Sequence, residues 1–505
     1  MTTNSKPVLA KKASAFREVY PIHEPYVYAA VITEPTTNRI VYELIEPTLL
    51  EQEEKQLKEV KSILVEEIDV NLNSIETREL AEEYLKTKIH EIIKDYRIKI
   101  DKDSIDKFMY YIIRDFLGYG KIDPLMKDKL IEDISADGVN VPIYIWHRDY
   151  ESLPTNIRFS NSTELDSFIV RLAYLSKKNI SLAVPILDGS LPDGSRIQMT
   201  YGSEITRRGS TFTIRRFRLD PLTITDLISM GTLSSEIAAY YWYAIENRAS
   251  FLVAGGVASG KTTLLNCLSM FIKPGLKVVS VEDTAELNLP HENWIPSVAR
   301  TSFGHNEKES GSVTLFDLLK AAVRQRPDYL IVGEIRGEEA YTLFQAMATG
   351  HLGMGTIHGE SAVSVVHRLE SEPMKIPRPL LTMINAIPVQ LRTEVNGKPV
   401  RRTSSITEIV GLDPKTKELL TNEVYSWDAR NDSFVYSGYS QLLKEKMKRN
   451  GLTEKEIQDE LYQRKTVLDW MINSGIRKYG DVAAVIRDYY SDPSRIFRKA
   501  RLRSQ

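Results

Sequence analysis

A single cysteine, Cys267, occurs in 505 residues, which excludes an internal disulfide framework and a tetracysteine zinc module. Cys267 follows a glycine-rich loop on a helix-like run, where a thiol reads as a small buried side chain rather than a nucleophile. No apolar run approaches the ~18 to 20 residues that cross a bilayer. The first 17 residues carry Lys6, Lys11, Lys12 and Arg17 without an apolar core, so they do not read as a secretory signal. A cytoplasmic chain is expected, with work at the inner face of the cell membrane left open. One-signed charge is also lacking: the net charge of -2 gives no global case for nucleic acid, and any basic surface must be local. Internal repeats and low-complexity tracts are absent.

What is present is a globular composition over a length that calls for two to four compact units. Residues 1–46 mix Pro, Tyr and short β-branched runs, predicting a tail and a small hairpin. Leu49, Leu50, Leu57, Val60, Leu64 and Ile68 then recur at helical spacing, and further helical runs are expected at 75–97 and 103–118. Short strands predominate over 130–217, interrupted by a helix at about 162–177, as in an α+β unit. Around Pro221 the chain reads as a linker, with Thr225 or Asp226 as a helix N-cap. Beyond it, apolar β-rich segments at 250–254, 277–281, 329–332 and 353–357 alternate with stretches long enough for crossover helices, the layout of a parallel α/β sheet. A helical, charge-rich region is expected from 411 to 505, ending on Arg495, Arg498, Lys499, Arg501 and Arg503. The expected divisions are 1–70, 71–217, a linker at 218–226, a P-loop core at 227–410, and 411–505.

Gly255-Gly-Val-Ala-Ser-Gly-Lys-Thr262 matches G-x-x-x-x-G-K-[ST] after an apolar strand and before a helix. In that context Gly256, Val257, Ala258, Ser259, Gly260, Lys261, Thr262 and Thr263 form a cradle. Backbone N–H groups and the helix dipole meet phosphate oxygens there. Lys261 would contact the β- and γ-phosphates of ATP, and Thr262 would ligate Mg²⁺.

Three further segments follow in order. Glu282-Asp-Thr-Ala-Glu286 stands behind the 278–281 strand, where carboxylates can orient water; the alternative is capping of the next helix. The apolar run from Asp328 ends at Gly333-Glu334 and resembles a Walker B strand, with Gly333 where an Asp would stand. Glu334 would reach the Mg²⁺ water shell or polarise the attacking water. His351 and His358 lie one short strand apart among glycines. A phosphate or subunit-interface sensor is a more economical reading than a metal pair, and a structural role stays open.

These four segments in series resemble the secretion-superfamily ATPases of type II and type IV secretion, type IV pili and archaella, whose acidic and histidine segments are the Asp and His boxes. The resemblance extends over 115–410, including Gly118-Tyr-Gly-Lys-Ile-Asp-Pro124 and Leu191-Pro-Asp-Gly-Ser-Arg196. Pro290-His-Glu-Asn-Trp294, Arg324-Gln-Arg-Pro-Asp328 and Arg368-Leu-Glu-Ser-Glu-Pro373 look like the archaeal branch, with a lean to the archaellum motor over a pilus or secretion assembly ATPase. The resemblance implies an α/β chain with an N-terminal α+β domain and a C-terminal RecA-like domain. It implies a homo-hexameric ring acting on a polytopic membrane platform protein, with no nucleic acid as partner. It also implies N-terminal arginines that reach nucleotide phosphates; the matching candidates are Arg196, Arg207, Arg208, Arg215 and Arg216. Glu282, Glu334, Lys261, His351 and His358 would complete the catalytic set. A nucleic-acid motor and a non-hydrolysing nucleotide switch are the competing classes. Near-neutral charge argues against the first, and carboxylates behind both strands argue against the second.

Overall fold

The computed structural model describes residues 16–503 apart from 36, 69, 71–74, 76, 218–219 and 301–311. The chain divides into two compact units, Met1–Phe217 and Arg218–Gln505.

In the first unit, β1 (Phe16–His23), β2 (Val27–Thr33) and β3 (Ile40–Ile45) form an antiparallel set, where the sequence suggested only a hairpin. They join β4 (Ile131–Ala136), β5 (Pro142–His147), β6 (Glu151–Arg158), β7 (Ile186–Ser190), β8 (Arg196–Thr200) and β9 (Thr211–Arg215) in one sheet, ordered 1-2-3-6-5-4-9-8-7. Within the division drawn at 1–70, these three strands belong to the sheet, with Val27, Ala29 and Val31 buried in the unit's main core. Three helices, Glu51–Glu67, Arg78–Asp95 and Lys102–Phe116, bury Leu57, Val60, Leu64, Leu85, Ile89 and Phe108 in a smaller core. The two short motifs of this unit are turn devices. A Cβ on Gly118 would stand 2.2 Å from Asp123 Oδ1, and that carboxylate accepts from Tyr119 N. Asp193 accepts from the amide and hydroxyl of Ser195, whose Oγ in turn accepts from Phe217 N.

In the second unit, β10 (Phe251–Gly255), β11 (Val278–Glu282), β12 (Trp294–Val298), β13 (Tyr329–Val332), β14 (Leu352–His358) and β15 (Ala386–Val395) are parallel, in the order 12-11-13-14-10-15. β10, β11 and β13 are buried along their whole length, which explains their unbroken apolar runs. Antiparallel strands β16 (Lys398–Leu412), β17 (Leu419–Asp428) and β18 (Ser433–Tyr436) complete the sheet. The expectation of helix from 411 is corrected here: Val424, Tyr425 and Trp427 favour a pleated, half-buried surface, and helix begins only at Gln441. Helices Gln441–Asn450, Glu454–Asn473, Tyr479–Ser491 and Pro493–Arg503 bury Val467, Leu468, Trp470, Val482 and Ile496 in the same core as Tyr241, Trp242 and Phe271. The unit's first helix, Ile224–Ser229, is capped by Thr223 with Asp226 in a capping box. The expected caps, Thr225 and Asp226, thus lie inside it.

Candidate functional site at the carboxyl edge of the parallel sheet

β10 ends at Gly255 and feeds the phosphate loop into the helix Lys261–Ser269. Gly260 sits at that helix's N-cap with φ +92°, and Ala258 has φ +57°. A left-handed conformation costs a non-glycine residue roughly 1 to 2 kcal/mol, so other contacts must hold it. Three do. Lys261 Nζ donates to Gly256 O at 2.6 Å, and Ser259 Oγ donates to the same carbonyl at 2.9 Å. Arg401 Nε donates to Ala258 O at 3.0 Å. Val257 is 82% exposed at the loop's tip. Thr262 and Thr263 open the helix, half-buried.

β11 ends at Glu282, which is only 2% exposed. Its Oε1 accepts from Glu286 N and Leu287 N, each at 3.0 Å. Its Oε2 is buried and has no partner among the described residues. Burial pushes the carboxyl up to about 7, with the two backbone donors pulling the other way. Gly333, just after β13, packs closely on this side chain: a Cβ there would stand 3.0 Å from Glu282 Cγ, so a larger residue would require Glu282 to shift by a few tenths of an ångström. The strand-end carboxylate is displaced one residue, to Glu334.

Glu334 Oε1 lies 3.1 Å from His358 Nε2. β14 pairs with β10 so that His358 stands beside Gly255. Burial and the Lys261 cation hold His358 below the usual imidazole value, against the pull of Glu334. A neutral ring donating Nε2–H to the carboxylate fits both observations. Thr356 Oγ1 donates to Gly333 O at 2.5 Å, tying the two strand ends together. The edge therefore collects the phosphate loop, Glu282, Glu334 and His358.

His351 is not brought there. It precedes β14 at the other end of the sheet, its Nδ1 3.1 Å from Ala346 O. Seven strand residues place the two histidines about 20 Å apart. Of the two histidines, His358 is the one that stands at this edge within one chain. The physical reason is that the intervening residues are extended rather than turned.

The arginine candidates belong to the first unit. Arg196 opens β8 directly opposite Arg215 on β9, and both are exposed. Arg207 and Arg208 are exposed in the preceding turn, where Arg208 O accepts from Val139 N. Arg216 differs from this group: its half-buried guanidinium donates to the carbonyls of Asp128 and Ile131, a bracing role within the fold.

Sequence reasoning missed four contributors. Arg401 reaches the loop from β16, more than a hundred residues away. Gln390 on β15 pairs with Gly255 and is buried. Glu339 accepts from Arg336 N and Gly337 N, each at 2.7 Å, and so shapes the turn after Glu334. Arg336 in turn pairs with Asp283 of the acidic segment. The signal for Glu339 was there, a carboxylate at a helix start after a glycine; nothing local marks Arg401.

The family described as type II/IV secretion system protein matches residues 117–392. The chain belongs to this secretion superfamily of ATPases. An uncharacterized protein of Methanocaldococcus jannaschii is 36% identical over 494 residues, covering 94% of this chain and 88% of that protein. A putative conjugal transfer protein of Mycobacterium tuberculosis is 32% identical over 266 residues, 50% of this chain and 72% of that protein. Among solved structures, the ATPase DotB of Legionella pneumophila is similar at 17% identity over 70% of this chain and 91% of its own, with a TM-score of 0.40. The family match ends before Arg401 and before the C-terminal helices, which lie outside it. No helix among the described residues is long and apolar enough to cross a membrane.

Proposed function

We propose that the chain hydrolyses Mg²⁺-ATP as a ring-forming motor that drives assembly or rotation of an archaeal type IV pilus-like filament. The supporting observation is the meeting of the phosphate loop, buried Glu282 and the Glu334–His358 pair at one sheet edge. Residues 256–263 would hold the phosphates, with Lys261 leaving Gly256 O for a phosphate oxygen. The Thr262 hydroxyl and Glu334 would hold Mg²⁺, an all-oxygen donor set that suits this hard cation. When bound, the ion offsets charge on the β- and γ-phosphate oxygens. Glu334, steadied by His358, would orient the attacking water, and Glu282 would accept its proton, having a value near 7 suited to a general base at neutral pH. Exposed Arg196, Arg208 and Arg215 would supply further positive charge in the assembled ring.

A relative from an archaeon, matched over 94% of this chain, supports the archaeal part of this reading. Relatives named for conjugal transfer support a second one, a transfer or secretion ATPase that serves a related machine. The test is hydrolysis per subunit against protein concentration for wild type, Glu334→Gln and Arg208→Ala, with and without DNA. The motor reading expects specific activity that climbs with concentration, a loss of at least about a hundredfold in Glu334→Gln with ATP binding kept, and a lower plateau for Arg208→Ala. Wild-type turnover in Glu334→Gln sinks the chemical assignment, and strong stimulation by DNA moves the reading to a nucleic-acid motor.

A further inference from the structure

The Arg401 contact has a geometric consequence for the loop. A trans peptide is planar, so its C=O and N–H point in opposite directions. Arg401 Nε holds the carbonyl of Ala258 from the β16 side. The amide N–H of Ser259, in the same peptide, therefore points away from Arg401. Ala258 itself sits at φ +57°, a conformation its own side chain disfavours.

The sheet places Arg401 for this task. Gly255 pairs with Gln390 of β15, and a Cβ on Gly255 would stand 2.5 Å from Gln390 O, so the strand crosses tight against the loop's first residue. Gln390 Nε2 donates to Thr403 Oγ1 at 2.7 Å, which pins the register between β15 and β16. Two residues further on, Arg392 stands opposite Arg401 on the same face. On the other face, Arg402 is held by both oxygens of Asp432 and by Met230 O, so β16 is anchored where it passes the loop. The stem of Arg401 crosses Gly260: a Cβ there would come 3.3 Å from its Cδ.

We infer that Arg401 is a positioning residue that holds the phosphate loop in its anion-binding shape through the Ala258 carbonyl, and so sets affinity for nucleoside di- and triphosphates. This rests on the ATPase reading, but its readout does not need turnover.

The experiment is calorimetric titration of Mg²⁺-ADP into wild type, R401Q, R401K and R392Q at low and high salt, with melting temperature as the folding control. A geometric role predicts at least tenfold weaker ADP binding in R401Q at both salt concentrations, and an intermediate loss in R401K, which keeps the charge but moves the donor. R392Q, which removes a like charge from the opposite position, is expected to change affinity less than threefold. The KM for ATP should rise by the ADP factor while kcat falls by less. Wild-type ADP affinity in R401Q overturns the inference. So does a loss that equals that of R392Q and vanishes in high salt, since charge alone would then explain it. If R401Q does not fold, R401K decides: unchanged affinity there sinks the inference. A wild type that binds ADP but does not hydrolyse ATP removes the ATPase reading and leaves this one standing.

Discussion

Two glutamates of the second unit are almost equally buried, Glu282 at 2% exposure and Glu408 at 1%, yet their surroundings differ in kind. Glu408 on β16 uses both oxygens. Oε1 accepts from Tyr240 OH at 2.9 Å and Ser440 Oγ at 2.6 Å; Oε2 accepts from Gln441 N at 2.7 Å, with Leu442 N and Asn422 Nδ2 more distant. It fastens the N-terminus of the helix Gln441–Asn450 to the sheet, where the helix dipole also favours a carboxylate. Glu282 has two backbone donors on one oxygen and none on the other. Burial alone does not mark a functional carboxylate. The unpartnered oxygen of Glu282 is the feature that the proposed general-base role would use.

Substitution at the two glutamates should have opposite consequences. Glu282→Gln should cut turnover by about 10² to 10⁴-fold with ATP binding retained, as expected for loss of a general base, measured in steady-state assays. Glu408→Ala should instead leave turnover per folded molecule near wild type but lower the unfolding free energy of the second unit by about 3 to 5 kcal/mol. It strands donors that were paired to a buried charge, and denaturant titration would read the loss. If Glu408→Ala abolishes turnover in a folded protein, the distinction fails.

Acidity sharpens the contrast further. Glu282 rises from 4.5 to about 7 on folding, so the native state holds its proton more tightly than the unfolded chain does. Its contribution is therefore most favourable below about pH 4.5 and is lost as pH rises through about 7, at a cost of roughly 3 kcal/mol. In the nucleotide-free chain, the stability advantage of Glu282→Gln over wild type should grow across that window; a constant difference would count against the shift. Turnover should rise over the same interval as the base loses its proton.

Smaller effects test how the carboxylate is held. Tyr479 OH donates to Asn288 O, and Asn288 N donates to Asn266 Oδ1 at 2.9 Å, so a C-terminal helix and the phosphate-loop helix both brace the acidic segment. Tyr479→Phe should cost about 1 kcal/mol in unfolding free energy, with no gain in turnover. Smallest of all, His351→Asn should change turnover less than His358→Asn does; the reverse order would place the first histidine at a site in another subunit.

The phosphate loop was legible because its chemistry is written in eight consecutive residues whose strand–loop–helix context is also local. Glu334 was legible for the same reason, as a carboxylate closing an apolar strand. Gly333 was not, because the side chain it packs on, Glu282, lies about fifty residues earlier and one strand away. The expectation of helix beyond 411 failed over 419–436, where pairing of β17 with β16 and β18 decides the conformation.

What the sequence determined by itself is what depends on neighbours along the chain: the loop, the apolar strands and the order of the carboxylates. Tertiary structure alone decided which of those groups meet. Strand register set His358 beside Gly255, sent His351 to the far end, brought Arg401 to the loop and removed Glu282 from water. Register arises from pairing between strands distant in sequence, and burial from the packing around them, so neither leaves a local mark.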